Sequence, residues 1–204
     1  MKKIVVLLLV TFILTGCTIV RIDTDSIDNT INVVLSKNNE LFNRVGKGYK
    51  YYVPRGVGYI DTVEFNDKLY SDGNFYYLYI DAISYYYNIE SEYKEKTDIY
   101  YSRKFNLNNK NGYLEIEQVG DKYLINFFYN YARIQAIVKE EEINDVILNS
   151  SYILSTVKFN NEVIKLMLDE EFFTNKEENY DIFDSKEESN DNFLEIVEDE
   201  QTSS

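Results

Sequence analysis

The sequence predicts an α+β fold: a twisted antiparallel sheet covered by helices, in a single domain followed by an acidic, disordered C-terminal tail. Two stripes with helical spacing flank a long tyrosine-rich stretch, and two-residue hairpin signals punctuate that stretch. The apolar share of 45 % is ordinary for a globular core.

The elements follow in order. Ile27, Ile31, Val34, Leu35, Leu41 and Phe42 fall largely on one face of a helix over about 26–42. Ser26 or Asp28 can cap its first turn, and Gly46 and Gly48 can end it. From Tyr49 the pattern becomes β, with turns expected at Asp72-Gly73, Asn111-Gly112 and Gly120-Asp121. A loop at Gly120-Asp121 pairs Val119 with Lys122, Gln118 with Tyr123, Ile116 with Ile125 and Leu114 with Phe127. The four apolar residues then share one face, and Glu115 and Glu117 point to the other. Further on, apolar residues sit at odd positions through Tyr131 and at even positions from Ala132. A parity switch requires an extra residue, so a bulge or bend is expected near Asn130–Ala132. Glu140, Glu141 and Glu142 favour the positive end of a helix over about 140–157, whose apolar positions run from Ile143 to Val157. A short strand around Val163–Leu168 completes the domain. This layout resembles domains like the extrinsic P subunit of photosystem II, with an early aromatic stretch ending in Pro (Tyr51-Tyr52-Val53-Pro54). The resemblance implies a fold and no activity.

The first residues have a different character. Met1-Lys2-Lys3 is cationic, Ile4 to Leu14 is apolar apart from Thr11, and small residues precede the sole cysteine. That is the layout of a secretory signal. Leu14-Thr15-Gly16-Cys17 resembles the bacterial lipobox. The resemblance implies cleavage before Cys17, diacylglycerol on its thiol, and a membrane anchored rather than spanned. Acyl chains contribute about 0.8 kcal/mol per buried CH₂, so two chains hold stably. The expected organisation is a signal peptide at 1–16, a tether at 17–25, a domain at 26–168 and a tail at 169–204. The site would be the outer, extracytoplasmic face of the cell membrane.

Composition removes several function classes. The chain has no histidine and one cysteine, so imidazole-based catalysis, imidazole metal sites and disulfide frameworks are excluded. A net charge of −14 argues against a nucleic-acid partner. The charge is uneven: residues 169–204 hold 14 acids against Lys176 and Lys186. That acidic tail carries Phe172-Phe173, Tyr180 and Phe193-Leu194, which suits docking on a protein partner with a basic surface as well as plain solvation.

No residue is assigned a catalytic or metal-binding role, and no cofactor is expected beyond the acyl chains on Cys17. Gly46-Lys47-Gly48 and Gly56-Val57-Gly58 lack the phosphate-loop pattern, and Asp23-Thr24-Asp25 with Asp28 lacks the glycine of a calcium loop. Glu64, Asp67, Asp81, Glu115 and Glu117 could supply a carboxylate pair for glycoside hydrolysis, the least favoured reading. Tyrosine clusters supply large contact area at small entropic cost. Tyr51, Tyr52, Arg55 and Tyr59 are the candidate binding residues, because Pro54, Gly56 and Gly58 make that segment irregular and accessible. The expected role is a non-enzymatic interaction or accessory subunit of an envelope assembly; the alternative is a module that binds cell-wall glycan or another small extracellular ligand.

Overall fold

Residues 26–63 and 65–169 are described by a computed structural model of the chain. The signal segment, Cys17, the tether, Glu64 and the tail beyond residue 169 lie outside the described residues. Helix α1 spans Ile27–Leu35, and strands β1 (Arg44–Val45) and β2 (Tyr49–Tyr51) follow. Next come β3 (Gly58–Val63), β4 (Asn66–Ser71), β5 (Asn74–Ile80) and the short helix α2 (Ala82–Tyr87). Four long strands make up the middle: β6 (Tyr101–Leu107), β7 (Lys110–Val119), β8 (Lys122–Tyr129) and β9 (Ala132–Val138). A 3₁₀ turn at Glu140–Glu142 leads into α3 (Ile143–Thr156), then β10 (Lys158–Phe159) and α4 (Asn161–Asp169). The α+β class is therefore as expected.

The large sheet has seven strands in the order β3-β4-β5-β9-β8-β7-β6, all antiparallel. A smaller sheet has the order β1-β2-β10. Helices α1 and α3 pack on one face of the large sheet, where Ile31, Leu35, Ile147 and Leu154 share a core with Leu78, Leu114, Ile116, Ile125, Phe127 and Ile134.

The expected β7–β8 register is the observed one, from Val119↔Lys122 through Leu114↔Phe127. Gly120 takes φ 63° at the first position of the turn, where a side chain would be strained. Asp72-Gly73 also forms its hairpin, joining Ser71 to Asn74.

Four expectations are corrected. Asn111-Gly112 lies inside β7, and the reversal comes earlier, at Asn108-Asn109, where both residues have positive φ (52° and 59°). The parity switch is a full hairpin rather than a bulge. Asn130 and Tyr131 adopt φ 52° and 61°, so Tyr129 pairs with Ala132. A two-residue turn pairs i with i+3, which inverts parity just as an inserted residue does. Helix α1 stops at Leu35 instead of continuing to about 42. Asn108 Nδ2 donates to the Leu35 carbonyl at 2.8 Å, and Leu41 and Phe42 are exposed. Gly46 and Gly48 therefore terminate nothing helical. Finally, Val163–Leu168 belongs to helix α4, of which Ile164 is fully buried. The strand there is only Lys158–Phe159. Among the described residues, no helix is long and apolar enough to cross a membrane.

Candidate functional site

Because α1 and α3 fill one face of the large sheet, the chain has a constrained route from β5, third in the strand order, to β6 at the far edge. It must pass the positions of β9, β8 and β7. Residues 88–100, which form neither helix nor strand, run across the opposite, outer face. Tyr93 stacks on Tyr113 with ring centroids 4.0 Å apart, and Tyr113 stacks in turn on Phe128 at 5.3 Å. Lys96 Nζ donates to Glu115 at 2.5 Å and Glu117 at 2.6 Å. Backbone amides fix the segment further: Lys96 N donates to Ser102 Oγ and Lys104 N donates to Glu95 Oε1. The segment is thus a strap, bound at the β6–β7 end of the sheet.

A cleft of about 360 Å³ opens between the strap and the sheet. Its lining includes Tyr93 and Lys96 of the strap, Glu115 of β7, Asn126 of β8, and Arg133 and Gln135 of β9. Two cross-strand rows pass beneath it, the first contributing Glu115, Asn126 and Gln135 to the lining and the second Tyr113 and Arg133. One runs Ser102–Glu115–Asn126–Gln135–Tyr77–Lys68 across six strands. The other runs Lys104–Tyr113–Phe128–Arg133–Tyr79. Neighbours in a row stand one strand spacing apart, about 4.8 Å. Every member of the first row carries a hydrogen-bonding group.

The electrostatics are close-coupled. Arg133 is 3 % exposed and lies over the Tyr79 ring at 5.1 Å. Burial lowers its guanidinium pKa from the ordinary arginine range, opposed by the neighbouring Tyr113 and Tyr79. Burial likewise raises the Tyr113 phenol, against the lowering effect of Arg133. Tyr93 is pushed up to about 12, chiefly by burial. The hydrogen bond from Lys96 holds the Glu117 carboxyl below the usual carboxylate range, and the two glutamates hold the Lys96 ammonium above its own.

A pH dependence follows. The Glu117 pKa is lowered on folding, so the pair stabilises above the unfolded carboxylate value of 4.5. That contribution is lost as pH falls through the folded value. Lys96 is half exposed and Glu117 about one-third, so solvent holds the pair to about 1 kcal/mol at most. Lys96→Met is expected to lower Tm at pH 7 and to match the parent protein once pH falls below the folded Glu117 value. Melting curves at the two pH values check this.

Of the four sequence-based candidates, three meet. Tyr52, Arg55 and Tyr59 line a second cleft, also about 360 Å³, with Asn43 and Arg44. The Arg44 guanidinium sits 3.4 Å from the Tyr59 ring centroid, and Asn43 pins the segment by exchanging two hydrogen bonds with Val53. Tyr51 turns the other way. It is 1 % exposed, and its hydroxyl donates to Asp67 at 2.7 Å. Tyr85, Tyr86 and Tyr87 are helical, in α2, with Tyr87 exposed.

The carboxylates are otherwise engaged. Asp81 caps α2 through Ser84 N, Asp67 accepts buried hydroxyls, and Glu115 and Glu117 share one ammonium. Among the described residues, no three His, Cys, Asp or Glu side chains are placed to hold a metal ion. The outer-face cleft is the richer site, and of its lining only Glu115 and Glu117 were singled out in the sequence. Tyr93, Asn126, Arg133 and Gln135 carry no motif. Their signal is the polar interruption of apolar strands (Ile125-Asn126-Phe127, Ala132-Arg133-Ile134-Gln135), which becomes a site only once the register is known. Comparison with protein-family models, with curated proteins and with solved structures found no match for this chain.

Proposed function

We propose that the chain is an extracytoplasmic lipoprotein, held on the outer face of the cell membrane by acyl chains on Cys17. Its domain works without catalysis, as an accessory binding component of the envelope that captures its target on the outer face of the sheet. The observation that carries this reading is the in-register polar row ending beneath the strap, with Arg133 and Glu115 buried at its floor. Deeply set charged and amide groups beside aromatic walls are how a cleft of this size fixes a ligand. The sharing of one lysine by Glu115 and Glu117 supports a non-enzymatic role. A carboxylate held ionised by an ammonium is a poor general acid.

A second reading, a protein-assembly subunit, is favoured by a different surface. Strand β3 is exposed along its length, with Ile60 and Val63 uncovered and Val45 of β1 also exposed. Apolar patches of this kind mark protein contacts.

Two steps test the proposal. Cys17→Ser is expected to move the protein from the membrane fraction to the soluble fraction, and retention in the membrane would overturn the lipid anchor. A crosslinked pull-down then compares the full chain with one ending at Leu168. Envelope material retained by both forms supports capture by the domain; a protein partner lost with the tail would make assembly the function instead.

A further inference from the structure

We infer that the second cleft, between β1 and the start of β3, is an anion site that takes a phosphomonoester group. It is separate from the outer-face cleft and stands whatever role that cleft has. Its lining holds two guanidiniums, Arg44 and Arg55, and no carboxylate. That is a local reversal of sign in a chain of net charge −14.

Neither cation has a carboxylate partner. The ion pairs formed among the described residues belong to Lys96, Arg103 and Lys158. Arg44 lies over the Tyr59 ring, a contact that engages its charge but supplies no hydrogen-bond acceptor. Arg55 is exposed and has no partner among the described residues. Asp67, which meets Tyr59 only through Thr62, is buried and accepts from Tyr49, Tyr51 and Thr62 instead.

Charge selects the ligand. Two guanidiniums without counter-charge match about two negative charges. A carboxylate or a phosphodiester brings one, whereas a phosphomonoester carries about −1.5 to −2 at pH 7 on three acceptor oxygens. Each guanidinium offers a planar fork of N–H donors that fits such oxygens in pairs. Tyr52 lines the same cleft, and its hydroxyl, with no partner among the described residues, adds a donor.

The backbone that carries these groups is fixed in advance. Asn43 clamps Val53 through two hydrogen bonds, and Tyr52 N donates to Thr156 Oγ1 at 3.0 Å. Val57 N closes the turn on the Pro54 carbonyl at 3.1 Å. A loop held this way loses little ordering entropy when the ligand arrives. Buried Val53 and Val57, with Pro54, give the organic part of the ester an apolar floor. The volume of about 360 Å³ suits a small ester.

Titration calorimetry on the detergent-extracted full chain tests this. The probes are glycerol 3-phosphate (a monoester), dimethyl phosphate (a diester) and acetate. Glycerol 3-phosphate is expected to bind about tenfold or more tighter than the other two, and to weaken in salt. Its affinity is also expected to fall several-fold between about pH 7.5 and 5.5, as the monoester takes up a proton near its second pKa of about 6. Arg55→Ala is expected to cost about tenfold with the circular dichroism unchanged, and Arg55→Lys to recover part of the loss. Lys104→Ala, which removes one positive charge at the opposite edge of the large sheet, is expected to change nothing. Dibutanoyl phosphatidic acid separates two sources of the same group. Binding about tenfold tighter than glycerol 3-phosphate would assign the site to a lipid headgroup, and equal binding to a soluble ester. Acetate or the diester binding as tightly as the monoester would overturn the phosphomonoester. No binding by any probe, or full binding by Arg55→Ala, would overturn the site.

Discussion

Asp67→Ala is expected to destabilise the domain by about 3–5 kcal/mol, the scale of leaving two or three buried hydroxyls without their acceptor. Asp67 is 4 % exposed on β4, on the side of the large sheet that meets the small one. Tyr49 and Tyr51 of β2 donate their hydroxyls to its Oδ2 at 3.2 and 2.7 Å. Thr62 of β3 donates to Oδ1, and Tyr59 OH lies 2.6 Å from that threonine oxygen. One carboxylate therefore ties three strands of two sheets together. Both phenols stand far above the ordinary tyrosine range, Tyr49 through burial and the Asp67 charge, Tyr51 through burial and its Asp67 hydrogen bond. They act as donors throughout the physiological range. Truncation to alanine leaves the hydroxyls without their acceptor, and each unsatisfied buried group costs about 1–3 kcal/mol before relaxation. Asp67→Asn retains one acceptor oxygen and is expected to lose less than half as much. Urea unfolding followed by circular dichroism measures both. An alanine variant within about 1 kcal/mol of the parent would show that the two sheets are joined by apolar packing alone.

Gly112→Ala is the second large effect, at about 3 kcal/mol. Gly112 sits in β7 opposite Phe105 and Tyr129. A Cβ there would come within 2.3 Å of Phe105 Cε2 and 2.9 Å of the Phe128 carbonyl oxygen. The Phe105 ring lies over the glycine, an aromatic covering the gap on the neighbouring strand. It packs edge-on against Phe127 with centroids 6.1 Å apart. An added methyl must displace that ring from the core, and overpacking plus a lost aromatic contact reach this magnitude. Phe105→Leu combined with Gly112→Ala makes room, so the double variant is expected to lose clearly less than the sum of the single losses. Strict additivity would show that the ring does not depend on the glycine.

The same glycine shows where sequence reading fails. Asn-Gly is a strong hairpin signal, and here it sits three residues past the turn because Gly112 serves a packing need. Asn108-Asn109 and Asn130-Tyr131 make the turns instead, with left-handed conformations that asparagine tolerates and tyrosine seldom adopts. The β7–β8 hairpin was legible because turn chemistry and apolar alternation agreed at every pair. Helix α4 was not, since Val163–Leu168 is a short apolar run broken only by Lys165, which spacing alone does not separate from a strand, while its buried anchor, Ile164, is set by long-range packing against Gly48. The irregular segment at Tyr52–Val57 was legible from Pro and Gly alone. The outer-face cleft combines residues from four separate segments between 92 and 135, so only the pairing register brings it together.

The central claim, that the outer face of the sheet is the binding surface, is tested most directly by a photoactivated crosslinking amino acid placed at Gln135 and, separately, at exposed Glu162 on α4. Illumination of intact cells is expected to give a defined crosslinked species from position 135 and none from position 162. Crosslinks from 162 but not from 135 would contradict the account and move the contact surface to the helical, tail-proximal side of the domain.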